Sequence, residues 1–372
     1  MKSEQISNFL QERIDARDFP SAVYLVAEKG EIVFQDALGF AVVEPEKIAA
    51  RNDTIYDLAS LTKVLVTGLL CAKLIESGEI SLSDKVCKFS AFFSTKTKSQ
   101  ITIQNLLTHT SGFSAWKPLY LNCNSNFLSD LVNVISEFPN ENSPNSVVTY
   151  SDLNFITLRF VLAEIYGESI DEIARKEIFE PLNLKDTFYN PPKELQKRIA
   201  ASEKGNEFEK QTCIEQSYDV SKYDWREYQI WGEVHDGNCF FMNGVSGHAG
   251  LFSTAEETFK IAQQFLASQT ILLKPETCAL FRTNFTKGLN EARSIAFQLA
   301  ETPDSTASKS LAPDSFGHLG FTGTSLWIEP ETERIFILLT NRTHARELPF
   351  VNINATRRRF HELAAQHLDE KR

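Results

Sequence analysis

The chain has 372 residues, enough for one large domain or for two that share a core. Its composition, 42% apolar and 23% charged, is that of an ordinary globular protein. The net charge of −11 argues against a partner bound through its phosphate backbone, and no basic run offsets it. The short basic stretch TRRRFHEL near the end reads as a solvated helix face.

The first segment, MKSEQISNFLQERIDARDF, predicts an amphipathic helix with Ile6, Phe9, Leu10 and Ile14 on one face. It lacks the continuous apolar core of a signal peptide, and no later stretch is apolar for long enough to span a bilayer. A cytoplasmic chain with no membrane contact is therefore expected. AVYLVAEKGEIVFQDALGF reads as two strands around a Lys-Gly turn, an antiparallel hairpin. From Ser60 to about Leu184 the patterns are helical: SLTKVLVTGLLCAKLIESG, TIQNLLTH, NFLSDLVNVISEF, DLNFITLRFVLAEIYG and SIDEIARKEIF. Residues 191–232 are polar and aperiodic, and read as an irregular surface excursion. SLWIEPETERIFILLTN is a second hairpin with its turn at PETE, followed by a closing helix from about Asn352 to Leu368.

Strands at both ends, each beside a terminal helix, predict an α/β fold with one antiparallel sheet assembled from both termini. The expected organisation is a sheet domain from 1–59 and 233–372, an inserted all-α domain at 60–190, and the excursion at 191–232. Six cysteines, at 71, 87, 123, 213, 239 and 278, form no CxxC pair and read as reduced thiols.

Chemistry enters at Ser60. Residues three apart share a helix face, so Ser60 and Lys63 point the same way. A helix N-terminus offers free N–H groups and favours negative charge, which suits a serine nucleophile and the oxyanion its attack creates. An N-cap serine followed by a snorkelling lysine gives the same four-residue pattern. Two further stretches bear on the choice. VVTYSDLNF places Tyr150 and Asp152 just before an apolar helix. FGHLGFTGTSLWIEP places a glycine-rich turn at the start of a sheet strand, where glycine permits close approach to the strand edge.

The order SLTK, YSD, HLG resembles the SxxK, YxN and KTG or HxG series of the serine β-lactamase and penicillin-binding protein (DD-peptidase) superfamily, in its class C-like branch. LLTHTSGF, EVHDGNCFFMNGVSGHAGLFSTAEE and LLTNRTH look like stretches of its esterase- or carboxypeptidase-like subgroup, so the resemblance covers roughly residues 20–360. It implies a β-lactamase/transpeptidase-like fold, with Ser60 as the acylated nucleophile and Lys63 as its base or electrostatic partner. Tyr150 is implied as a proton shuttle whose pKa Lys63 depresses, and the backbone N–H groups of Ser60 and Phe321 as the oxyanion hole. Asp152, His318, Gly320, Thr322 and His248 are implied on the substrate side, with His248 at the cleft mouth. No metal and no cofactor is expected.

Departures from the pattern carry their own expectations. Asp152 stands where asparagine is usual, which favours a protonated Lys63 and shifts the base toward Tyr150. His318 and Leu319 replace the lysine and threonine that help bind a substrate carboxylate, so weaker carboxylate recognition is expected. A histidine at 318 also predicts a charge gained as pH falls toward ~6.5. His109 reads as a structural histidine tying down a loop. His235, Asp236 and His248 have weak metal spacing. Trp116 and Trp231 either wall the site or are simply packed. The expected function is a serine hydrolase working through an acyl-enzyme on small esters or amides. The alternatives are a D-alanyl-D-alanine carboxypeptidase or weak β-lactamase acting on a peptide or lactam, and a non-catalytic binding protein that kept the fold. The partner is a small molecule rather than nucleic acid, and the sequence leaves the oligomeric state open.

Overall fold

The computed structural model describes residues 1–370. Ten strands follow in chain order: β1 Ser21–Glu28, β2 Glu31–Val42, β3 Ile48–Ala49, β4 Tyr56–Asp57, β5 Phe188–Tyr189, β6 Leu251–Ser253, β7 Gln298–Leu299, β8 Phe316–Leu319, β9 Ser325–Glu329 and β10 Arg334–Thr340. Seven form one antiparallel sheet in the order β3-β2-β1-β10-β9-β8-β7. The two ends of the chain meet at its centre, with Tyr24 opposite Leu338 and Leu25 opposite Ile337. Both hairpins lie where expected. At the first turn Lys29 and Gly30 take φ of 53° and 83°, the paired left-handed conformations that a two-residue hairpin turn requires.

Burial on β1 and β10 explains their unbroken apolar runs. Tyr24, Val26, Phe336 and Leu338 face the terminal helices, Glu4–Asp15 and Asn354–Asp369, together with Ile6, Leu10 and Phe360. Val23, Leu25, Ile335 and Ile337 face the other way, into the larger core that includes the helical region. Alternate side chains leave opposite faces of a strand, so a strand covered on both sides is apolar throughout.

The helical segments appear as Leu69–Ser77, Ile103–Leu107, Leu128–Glu137, Asp152–Tyr166 and Ile170–Ala174. Ahead of the first, Lys63–Gly68 winds as a π-helix, so the helix that starts after Ser60 has a widened first turn. Gly68 lies there because a Cβ would come within 2.7 Å of the Ala296 Cβ. Within 191–232 the chain forms a helix, Glu207–Glu215, whose Glu209 and Cys213 are buried. A second small sheet, β4-β6-β5, delivers the chain into Ser60. All six cysteines are free thiols. Among the described residues no helix is long and apolar enough to cross a membrane.

Candidate active site

β4 leads into Ser60 through a strained residue. Ala59 takes φ of 48°, a left-handed conformation costly for a residue with a Cβ. It is held by Asp57, whose Oδ1 accepts the Ala59 N–H at 2.8 Å while Oδ2 accepts that of His235 at 2.8 Å. The sharp bend turns Ser60 into a cavity of about 690 Å³, lined also by Tyr150, Asp152, His318, Gly320, Phe321 and Arg293.

Lys63 is fully buried and is surrounded by acceptors. Its Nζ donates to Ser60 Oγ at 2.9 Å and to the His248 carbonyl at 3.0 Å, and pairs with Asp152 Oδ1 at 2.7 Å. Burial pulls the ammonium toward neutrality, but the charge of Asp152 and then the Tyr150 phenol more than offset it. The net pKa lies above the usual lysine value. The expectation of a protonated Lys63 agrees with this geometry.

Tyr150 differs from expectation. Burial pushes its phenol up, Lys63 pulls it back, and Asp152 pushes again, leaving it above the ordinary tyrosine value rather than depressed. Its ring is held by His109 at 4.6 Å and His318 at 5.6 Å between centroids, with Lys63 Nζ 5.0 Å from the ring centre. The buried hydroxyl has no hydrogen-bond partner among the described residues, so it remains available. His109 itself is a brace: its Nδ1 accepts from the Ser151 N–H at 3.0 Å, and its carbonyl takes the Thr149 N–H at 2.9 Å.

The turn after β8 closes the site. Gly320 is required there, since a Cβ would come within 2.0 Å of Thr324 Oγ1 and 2.6 Å of the Leu58 carbonyl. Two hydroxyls tie the turn to the segment that leads into Ser60: Thr322 Oγ1 donates to the Asp57 carbonyl at 2.7 Å and Thr324 Oγ1 to that of Leu58 at 3.0 Å. Among the described residues, neither the Ser60 nor the Phe321 N–H donates a hydrogen bond, and both residues line the cavity.

Three expected positions need correction. Thr322 is buried with its hydroxyl spent on Asp57, so it stabilises the turn instead of facing substrate. His248 is not at the cleft mouth. It is fully buried between Ser246 Oγ at 2.7 Å and Asp236 Oδ1 at 2.9 Å, and reaches the site only through its carbonyl. His318 lines the cavity, but burial and then the Arg293 and Lys63 charges hold its pKa well below the ordinary histidine value. Its Nδ1 donates to the Leu319 carbonyl at 2.9 Å. Protonation of His318 near pH 6 is therefore not expected.

Arg293, unremarkable in sequence, supplies a cation on this wall. It is 5% exposed, pairs with Glu291 at 2.7 Å and lies 5.6 Å from the Tyr150 ring centre. Its Nε and Nη1 have no partner among the described residues. A bridge to Gln298 beside the sheet edge places it, together with its N–H donating to Thr286 Oγ1 and its carbonyl accepting the Phe285 N–H, both at 2.8 Å, and no periodic pattern marks that stretch. Trp116 lines the cavity, whereas Trp231 donates to the Ile199 carbonyl at 2.8 Å and is packed away from it. Glu209, from the helix within 191–232, lines the cavity too. Burial and then the charge of Asp236 raise its pKa to about 7. Asp152, Asp236 and His248 bring ligand atoms within 4.8 Å of one another, but Lys63 already pairs with the first, and the other two bond each other.

Comparison with known proteins bears on this arrangement as a whole. The profile of the β-lactamase family matches residues 6–357. A protein of Escherichia coli (strain K12) named "Putative D-alanyl-D-alanine carboxypeptidase" is 29% identical, over 92% of this chain and 82% of its own. Its namesake in Salmonella typhimurium is 31% identical, over 92% and 83%. Among solved structures, EstCE1, a hydrolase with promiscuous acyltransferase activity, superposes with a TM-score of 0.74 at 18% identity, covering 96% of this chain and 97% of its own. A class C β-lactamase from Rhodobacter sphaeroides gives 0.71 at 16% identity, covering 98% and 99%. The chain belongs to the β-lactamase family, within the superfamily of serine hydrolases that share this fold.

Proposed function

We propose that the protein hydrolyses small esters or amides through an acyl-enzyme on Ser60. The observation that carries this reading is the buried Lys63 ammonium, 2.9 Å from Ser60 Oγ and 2.7 Å from Asp152. Lys63 donates to Oγ, which leaves the serine proton free to move elsewhere. Tyr150 is the acceptor. Because its phenol is neutral at rest, it works as a bifunctional relay. As Oγ bonds to the substrate carbonyl, the serine proton passes to the phenol oxygen in concert with departure of the phenol's own proton, so that no protonated phenol forms. The phenol's own proton passes to the leaving group as the carbonyl–leaving-group bond breaks. In deacylation the same relay runs with water: its oxygen bonds to the acyl carbon as its proton enters Tyr150, and the acyl carbon–Oγ bond breaks as the Tyr150 proton returns to Oγ, releasing the acid. The charge that develops on the carbonyl oxygen meets the N–H groups of Ser60 and Phe321.

A second reading, a carboxypeptidase acting on a peptide with a free terminal carboxylate, is favoured by Arg293. Its unpartnered Nε and Nη1 offer a carboxylate the fixed cation that position 318 lacks. A matched pair of substrates, one neutral and one bearing a carboxylate, separates the readings. For a carboxypeptidase, Arg293→Gln lowers kcat/KM on the anionic substrate about ten- to a hundredfold, the worth of a charge-assisted hydrogen bond, and leaves the neutral ester nearly unchanged. His318 stays neutral and adds no slope to the ratio of the two rates between pH 6 and 8, so a rise toward pH 6 there belongs to Glu209, which lines the same cavity and has its pKa raised to about 7. Equal loss on both substrates assigns Arg293 to packing against Tyr150 and returns the reading to neutral esters and amides.

A further inference from the structure

The Gly320–Phe321 peptide is one conjugated unit: the Phe321 N–H, unbonded within the described chain, and the Gly320 carbonyl are its two ends. Arg357, in the first turn of the terminal helix, donates from Nη2 to that carbonyl at 2.7 Å and to the Thr324 carbonyl at 2.9 Å. The next carbonyl, that of Phe321, accepts Arg342 Nε at 2.7 Å, and the Arg342 N–H donates to the Thr322 carbonyl at 2.9 Å. Arg357 is 5% exposed, and its remaining contact is Nη1 to Asn354 Oδ1 at 2.9 Å. Among the described residues no carboxylate lies within ion-pair distance of either guanidinium. Burial, and then the neighbouring Arg342 charge, lowers the Arg357 pKa to about 9, so it remains a cation at neutral pH.

A buried guanidinium without a carboxylate is an expensive arrangement if its task is only to hold a turn. Thr322 and Thr324 already tie that turn to the nucleophile's strand. A cation on the oxygen of a peptide draws electron density from its nitrogen and strengthens the N–H as a donor, because hydrogen bonds in series polarise one another. We propose that Arg357 is a positioning residue for the oxyanion hole, acting through the Gly320–Phe321 peptide to make the Phe321 N–H a stronger donor. Arg342 holds the following peptide and does not touch the polarised one. Charge on the substrate oxygen grows as the tetrahedral intermediate forms, so the effect falls on kcat more than on KM.

The inference rests on the reading of Ser60 as the acylated residue, and the two fail separately. Turnover surviving Ser60→Ala removes that reading, whereas Arg357, which also lines the cavity, is read through the acyl carbonyl stretch and the kcat-against-KM split, which a direct substrate contact would not move in the same way. The test compares Arg357→Met, Arg357→Gln and Arg357→Lys with the parent enzyme on a neutral p-nitrophenyl ester. It adds the infrared carbonyl stretch of the acyl-enzyme, trapped with a slowly released acyl group. Methionine is expected to lower kcat about ten- to a hundredfold, less than the ~10²–10³ typical of deleting an oxyanion donor outright, with KM within about twofold. The acyl carbonyl stretch should move to higher wavenumber, a change that a purely structural clamp would not cause in the folded fraction. Should the methionine protein not fold, glutamine decides, being neutral yet able to donate to Gly320: the same upward shift with lower kcat is expected. Lysine, which restores the charge, should recover kcat beyond the glutamine level. An unshifted stretch in the neutral variants, activity loss that follows only the folded fraction, or lysine no better than glutamine would overturn the proposal.

Discussion

Tyr150→Phe is expected to fold like the parent protein and to lose about 10²–10⁴-fold in kcat, the usual worth of a positioned acid–base group. The contacts that hold the ring are the tilted rings of His109 and His318 and the cations of Lys63 and Arg293, and phenylalanine keeps an aromatic face for all of them. The hydroxyl makes no well-formed hydrogen bond within the described chain, and the two groups that interact with it, Lys63 and Ser60, bond each other at 2.9 Å, so its removal orphans neither. Few active-site substitutions separate chemistry from folding so cleanly. Steady-state rates on an activated ester, beside a thermal unfolding curve, measure both. A folded variant with near-parent kcat would assign Tyr150 to packing and end the relay mechanism.

The second large effect falls on stability. Asp152→Ala leaves the Lys63 ammonium at 0% side-chain exposure without its counter-charge. Breaking a buried pair by removing one partner costs about 3–5 kcal/mol, because the remaining charge stays desolvated. Lys63 retains the His248 carbonyl and Ser60 Oγ as acceptors, which places the expected loss toward the lower end. Since the pKa of Lys63 is raised by folding, its share of the stabilisation is fully present below the ordinary lysine value. It is lost only as pH rises through the still higher folded value, so the parent's share is constant from pH 6 to 9, whereas in the variant burial is no longer offset by Asp152 and the penalty should grow as pH falls. Adding Lys63→Met to Asp152→Ala should recover much of the stability and none of the activity. Denaturant unfolding of the two single variants and the double variant closes the cycle. A single-variant loss below ~1 kcal/mol, the range of exposed pairs, would mean that Lys63 is not desolvated as described.

The same contrast between strong and weak local signals explains what could be read from the sequence. Hairpins β1–β2 and β9–β10 were legible because their strands are five residues or longer and bounded by turn residues such as Lys29-Gly30. SLTK, YSD and HLG were legible as an ordered series, and the fold brings Ser60, Tyr150 and His318 to one cavity, with Lys63 beneath it. The small sheet β4-β6-β5 was not, since strands of two or three residues contain no measurable alternation. Arg293 and Arg357 matter through unpartnered or carbonyl-directed nitrogens, a property of placement that residue type does not carry. His248 was singled out for its side chain, whereas its carbonyl is what meets Lys63, and any residue has a carbonyl. The departure at 318 was visible, but its consequence was misjudged, because the burial and the cations that keep His318 neutral come from segments distant in sequence.

The central claim is that Ser60 becomes acylated. A serine-reactive fluorophosphonate, incubated with the full chain, digested with trypsin and read by mass spectrometry, tests it directly. A single adduct is expected on NDTIYDLASLTK, at Ser60, and Ser60→Ala protein should remain unlabelled. An adduct on another residue, with Ser60 unmodified, would contradict the account.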